Sequence, residues 1–191
     1  MPKIGMEPIR RASLIKATIA EIGNVGSLEV TVSRIAKRAG MSSALAHHYF
    51  GSKEAMFMAA MRHVLTVYGA EVRGALAAAD GPEARVRAVI RASFSTSNFR
   101  REVISAWLNF YVLAQTRDEA RRLLAVYQRR LVSNLTHGLR PLIGARAAQV
   151  ACSIAVMIDG AYLHAALSET PNATRAVGRV EDYLTLALNA G

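Results

Sequence analysis

Between Thr31 and Lys53 the chain reads TVSRIAKRAGMSSALAHHYFGSK, and these residue types at these spacings suit contact with a nucleic-acid duplex. Thr31 and Ser42 are N-cap residues, whose side-chain oxygens accept from backbone N–H groups that lack a helical partner. Val32, Ile35, Ala36 and Ala39 recur at helical spacing, with Arg34, Lys37 and Arg38 on the other side. Gly40 follows where a helix ends in the left-handed region. Ala36, four residues before it, is small enough for two helices to cross closely. The layout is two short helices around a tight turn, then a third helix opened by Ser52 and Lys53. That is a helix-turn-helix, whose second helix enters the DNA major groove. An ordinary helical hairpin with a solvated basic face carries the same local pattern.

The second helix presents Ser43, Ala44, Leu45, His47 and His48, short or planar side chains suited to groove floors and thymine methyl groups. It is nearly uncharged, so affinity must come from phosphate contacts around it. Candidates are Thr31, Ser33 and Arg34 at the start of the first helix, Ser42 at the start of the second, and the hydroxyl of Tyr49. Lys53 opens the third helix, where free N–H groups and a partial positive charge favour a phosphate. Phe50 reads as core. His47 and His48 project about 100° apart on a helix and cannot easily chelate one ion, so no metal is expected.

A second constellation lies further along. Trp107, Phe110 and Tyr111 share one helical face, Tyr127 follows on the next helix, and Asp159 precedes Tyr162 in an otherwise apolar stretch. A quaternary ammonium cannot donate a hydrogen bond, so its recognition rests on aromatic faces and a nearby carboxylate. A charged Asp159 amid Val156, Met157 and Ile158 is costly unless paired. The plainer reading makes Trp107 and Phe110 ordinary core and pairs Asp159 with an internal arginine. His63, His137 and His164 stand alone. No G-x-S-x-G, Walker loop, G-x-G-x-x-G or H-E-x-x-H occurs, so neither catalysis nor a cofactor is expected.

Composition agrees with a polyanion partner: 191 residues carry a formal charge of +10 and a pI near 10.5. The excess is spread along the chain, so charge supports DNA binding without locating it. Cys152, the single cysteine, sits in an apolar run and reads as a buried, inert thiol in a reducing compartment. The first residues, MPKIGMEPIRR, have no apolar core and do not read as a secretory signal. The apolar run Val150 to Ile158 is far too short to span a bilayer. A cytoplasmic protein with no membrane partner is expected.

Apolar periodicity predicts an all-α chain of about nine helices, with no strand alternation and no repeat. The expected helices cover 9–25, the two short ones above, then 53–79, 83–96, 101–115, 118–142, 145–167 and 173–188. All five prolines (Pro2, Pro8, Pro82, Pro141, Pro171) are expected at helix borders. Residues 1–55 form a reading head and 56–191 a helical body, and the helix starting at Lys53 belongs to both. The last two helices carry apolar stripes, Val150, Ile154, Met157, Ile158 and Ala161 on one, and Val177, Val180, Tyr183, Leu184 and Leu188 on the other. These suit a four-helix homodimer interface, and the same stripes also suit packing within one protomer.

The head, with A-x-x-x-G-M-S followed by HHYF-x-S-K-E within residues 10–60, resembles the TetR family of one-component repressors. MPKIGMEPIRR, AWLNFYVLAQ and MIDGAYLHAAL extend the resemblance over essentially the whole chain, toward the members of that family that respond to choline. The resemblance implies a homodimer on a palindromic operator, repressing genes that convert choline to glycine betaine and released by choline. The residues alone leave open another small cation, such as a polyamine or a quaternary drug, and a DNA binder without an effector.

Overall fold

All three expected caps form. The Thr31 hydroxyl accepts from the Arg34 N–H at 3.3 Å, Ser42 from Leu45 at 3.2 Å and Ser52 from Ala55 at 3.1 Å. In the computed structural model, which describes residues 5–190, they open α2 (Val32–Arg38), α3 (Ser43–Phe50) and α4 (Lys53–Ala78). Ahead of them α1 (Met6–Val25) ends on Gly26, whose φ of 75° is the left-handed cap a glycine takes at no steric cost. Beyond α4 come α5 (Pro82–Ser93), α6 (Arg101–Thr116), α7 (Asp118–Ile143), a single 3₁₀ turn, α8 (Ala147–Ala166) and α9 (Ala173–Asn189). The described residues are all-α, with nine α-helices. Pro2 lies outside them.

Two borders differ from expectation. Pro141 lies inside α7 rather than at its edge. One turn from the end it costs a single backbone bond, and the chain then tightens into the 3₁₀ turn Gly144–Arg146. The fifth helix stops at Ser93 instead of running to Thr96, because Ser95, Ser97 and Asn98 find side-chain partners outside the helix.

Leu14, Ala17 and Ile22 of α1 are buried with Ile35, Ala36 and Ala46 in one hydrophobic core that continues into the body. The crossing of α1 over α6 is especially close. A Cβ on Gly23 would fall 2.5 Å from the Glu102 Cα, so only glycine permits this crossing of α1 over α6. In the body, α7 packs against α5, α6 and α8, and α9 closes over α5 and α8.

The stripes on the last two helices settle one open question. Val150, Ile154, Ile158, Val180 and Leu184 are buried within the protomer. The apolar residues left facing out are others: Val156 at 70% and Leu163 on α8, Leu167 just after it, and Leu186 on α9. Cys152 shares that outward face and is exposed, not buried as expected. The reason is that α8 is apolar all round, so hydrophobic neighbours in sequence do not report which side is inside. The apolar stretch is also longer than the Val150–Ile158 run suggests. By length and composition alone, a window of mean hydropathy 1.6 within Asp118–Ala166 is enough to cross a membrane, with a third of it buried. Within the protomer α6, α7 and α9 cover one side of α8, and Val156 and Leu163 face away from them.

Candidate functional site

The residues expected to contact DNA all lie on α2, α3 and the start of α4 or at their caps, and none is fully buried. Thr31, Ser33, Arg34, Ser42, Ala44, His47 and His48 are exposed, and Ser43, Leu45, Tyr49 and Lys53 are half-buried. Several are held in place by a neighbour. His47 Nδ1 lies 3.1 Å from the Gly51 carbonyl, which fixes the ring at the end of α3. Arg11 donates to the Tyr49 carbonyl and stacks over Phe50 at 4.5 Å, so Phe50 is half-covered by a cation rather than fully core.

Three cations are less free than their spacing suggests. The Lys53 ammonium donates to the Leu28 carbonyl at 2.9 Å, tying the α1–α2 loop to the start of α4, and two of its three N–H groups remain. Arg34 and Arg38 both donate through Nε to Glu21, whose side chain is only 7% exposed. The Arg38 hydrogen bond, aided by Arg34, holds the Glu21 carboxyl below its ordinary range despite burial. This carboxylate pins α2 to α1, and nothing in the local sequence pattern marked it.

In the body, the expected aromatic residues converge. Trp107 stacks at 4.6 Å on Tyr127, 5.8 Å from Tyr111, 5.9 Å from Phe110 and 6.3 Å from Tyr162. The Tyr111 hydroxyl donates to Asp159 at 2.8 Å. No arginine pairs with Asp159. Burial pushes its carboxyl above the ordinary aspartate range, opposed by hydrogen bonds from Tyr111 and Gln128. Burial likewise raises the phenols of Tyr111, Tyr127 and Tyr162, which stay protonated and available as donors. Phe110 is fully buried and meets Phe57 edge-on at 6.4 Å.

The structure adds residues that sequence spacing did not single out. Tyr68 of α4 meets Tyr127 edge-on at 5.5 Å, and burial pushes its phenol up to about 12. Phe94 and Phe99 pack around Tyr162. Tyr68 and Tyr127 also line a groove of about 690 Å³ between α4 and α7, open to solvent and flanked by Arg73 and Arg130. Trp107 and Asp159 do not line it; the rings fill the space between themselves. Among the described residues, no group of three potential metal ligands comes together.

Comparison with known proteins places this geometry. Residues 14–60 match bacterial regulatory proteins of the tetR family, and residues 82–189 match the BetI-type transcriptional repressor C-terminal family. The chain is 49% identical to the HTH-type transcriptional regulator BetI of Brucella anthropi, covering 98% of each chain. It is 47% identical to the regulator of that name from Rhizobium meliloti, covering all of this chain and 95% of the relative. Among solved structures, a putative transcriptional regulator from Saccharomonospora viridis in complex with choline matches with a TM-score of 0.81 at 18% identity, over 92% of this chain and 95% of that one. A TetR regulator from Haloarcula marismortui matches at 0.83 and 18% identity, over 94% and 98%. A capped helix-turn-helix seated on a helical body thus has its counterpart along the full length of named regulators, and the chain belongs to the TetR family of bacterial transcriptional regulators, with a BetI-type body.

Proposed function

We propose that this regulator represses genes of choline-to-glycine-betaine conversion and leaves a palindromic operator when choline binds the body. The observation that carries the reading is the Trp107–Tyr111–Tyr127–Tyr162 cluster beside Asp159, a carboxylate with no cationic partner among the described residues. Aromatic faces and an unpaired carboxylate are what a quaternary ammonium requires. Relatives named BetI at near half identity, and a neighbour of the same fold crystallised with choline, support the same effector.

The groove lined by Tyr68 and Tyr127 gives the ligand its way in. Seating an ammonium against Trp107 separates Trp107 from Tyr127 and moves α4, whose first residue belongs to the head. Two copies join through the outward face of α8 and α9, at Val156, Leu163, Leu167 and Leu186, and the spacing of their heads matches a two-fold operator. Converting a one-in-a-hundred state to ninety-nine takes about 5.5 kcal/mol of differential binding, which two sites per dimer can share. The head residues from Thr31 to Lys53 divide the work. Ala44, Leu45, His47 and His48 read bases, while Thr31, Ser42, Tyr49 and Lys53 hold phosphates.

An operator selected from a random duplex pool and used in a mobility-shift titration tests this. Choline is expected to release the duplex, with spermidine and glycine betaine far less effective. Unchanged affinity at millimolar choline would remove choline as the effector, and release by spermidine alone would assign a polyamine instead.

A further inference from the structure

The turn between α5 and α6 holds a polar cluster that neither DNA reading nor cation binding uses. Its centre is Glu71 on α4. Ser95 Oγ donates to Glu71 Oε2 at 2.5 Å, Asn98 Nδ2 donates to the same oxygen at 2.6 Å, and Ser97 Oγ donates to Oε1. Asn98 is 2% exposed, and its amide also reaches the Ala92 carbonyl at 2.9 Å.

The same turn receives the effector cluster from its other side. The Tyr162 hydroxyl donates to the Ser93 carbonyl at 2.6 Å and lies 3.2 Å from that of Asn98. Tyr68, from the same helix as Glu71, places its hydroxyl 3.3 Å from Ser93 Oγ. A shift of Tyr162 therefore displaces the backbone at Ser93 and Asn98, and with it the three donors gripping α4. Glu71 lies eighteen residues from Lys53, about 27 Å along α4 at the helical rise. A small change of grip there swings the head end of a long, stiff helix.

We propose that Glu71 is the positioning residue that couples the effector cluster to the head, gripping α4 through Ser95, Ser97 and Asn98 so that movement of Tyr162 becomes tilt of α4. This rests on the effector reading above. Glu71 does not touch the effector; its carboxylate is already filled by three donors, and its role is to transmit.

The test separates binding from coupling. Choline affinity is measured calorimetrically, and operator affinity is measured with and without saturating choline, for the wild type and Glu71→Gln. Glutamine keeps the shape but removes the anion and leaves one accepting oxygen where the carboxylate offers two to Ser95, Ser97 and Asn98. The expected result is choline affinity within about twofold of wild type, with choline changing operator affinity by less than about threefold, where effectors ordinarily achieve about 5- to 150-fold. A thermal-stability loss without a change in that ratio would mean a structural role only and would overturn the proposal. So would loss of choline binding in the variant, which would make Glu71 part of the ligand site. The double variant Ser95→Ala/Ser97→Ala is expected to uncouple in the same way, and it decides the matter if Glu71→Gln does not fold. Absence of choline binding in the wild type would instead defeat the effector reading itself.

Discussion

The head and the body solve opposite problems with the same kind of element. The head keeps most of its working groups at least half-exposed and fixes their helices largely by local means: a hydroxyl cap at the starts of α2, α3 and α4, and a ring tethered four residues away. The body hides its working groups and fixes them by long-range contacts, with Tyr111 held by Asp159 and Tyr162 by the turn at Ser93 to Asn98. A site that must fit a rigid duplex gains from preset geometry. A site proposed to send a signal gains from a buried carboxylate that holds hydrogen bonds from Tyr111 and Gln128 and has no arginine beside it.

The strongest way to break this contrast is to separate the two heads. Val156→Arg replaces a side chain that the protomer leaves 70% exposed, so each protomer is expected to fold and bind choline while failing to dimerise. A lone head makes half the contacts, and operator affinity is expected to fall about 10³-fold toward non-specific binding. Sedimentation and mobility shift together check this. A dimeric variant with wild-type affinity would move the interface off α8.

Next in size is the loss of the body's charge. Asp159→Asn is expected to weaken choline binding about tenfold to a hundredfold, or ~1.4–2.8 kcal/mol. Because burial raises the Asp159 pKa, wild-type affinity for choline is expected to fall as pH drops through a range above the ordinary aspartate value of about 3.9, while the Asn variant stays flat. The sign for stability is the reverse. A raised folded pKa favours the protonated form in the folded state. The ligand-free protein is therefore relatively stabilised below the unfolded pKa and loses that increment as pH rises through the folded one. A pH-independent choline affinity would sever Asp159 from the site.

The smallest expected effect sharpens the head. Lys53→Ala removes an ammonium that holds Leu28 and has two N–H groups to spare. It is expected to weaken binding to all sequences alike and lower the salt slope by about 0.9. A slope equal to wild type would confine Lys53 to bracing the loop.

The two regions also differed in how far their sequence disclosed them. The head was legible because its signals are local: Thr31, Ser42, Ser52 and Gly40 act on residues three or four positions away. Trp107, Tyr111, Tyr127 and Asp159 were found because their types are unusual in an apolar helical setting. Tyr68 and Glu71 were not, since their partners at Tyr127 and Ser95 to Asn98 lie one or more helices away. Nothing in α4 itself sets Glu71 apart from an ordinary solvated glutamate. Helical period leaves the inner side of α8 open, and the expectation of a buried Cys152 fails there. With apolar residues on every side, the buried Ile154 and Ile158 and the exposed Cys152 and Val156 read alike. Only the packing of α6, α7 and α9 decides between them.

Trp107 is the single tryptophan of the chain, and it stands at the centre of the proposed cation site, so its fluorescence reports on that site alone. Titrating choline into the wild type and Asp159→Asn is expected to give a saturable change in emission for the first and a strongly right-shifted one for the second. Emission unaltered at millimolar choline, or identical curves for both proteins, would contradict the account.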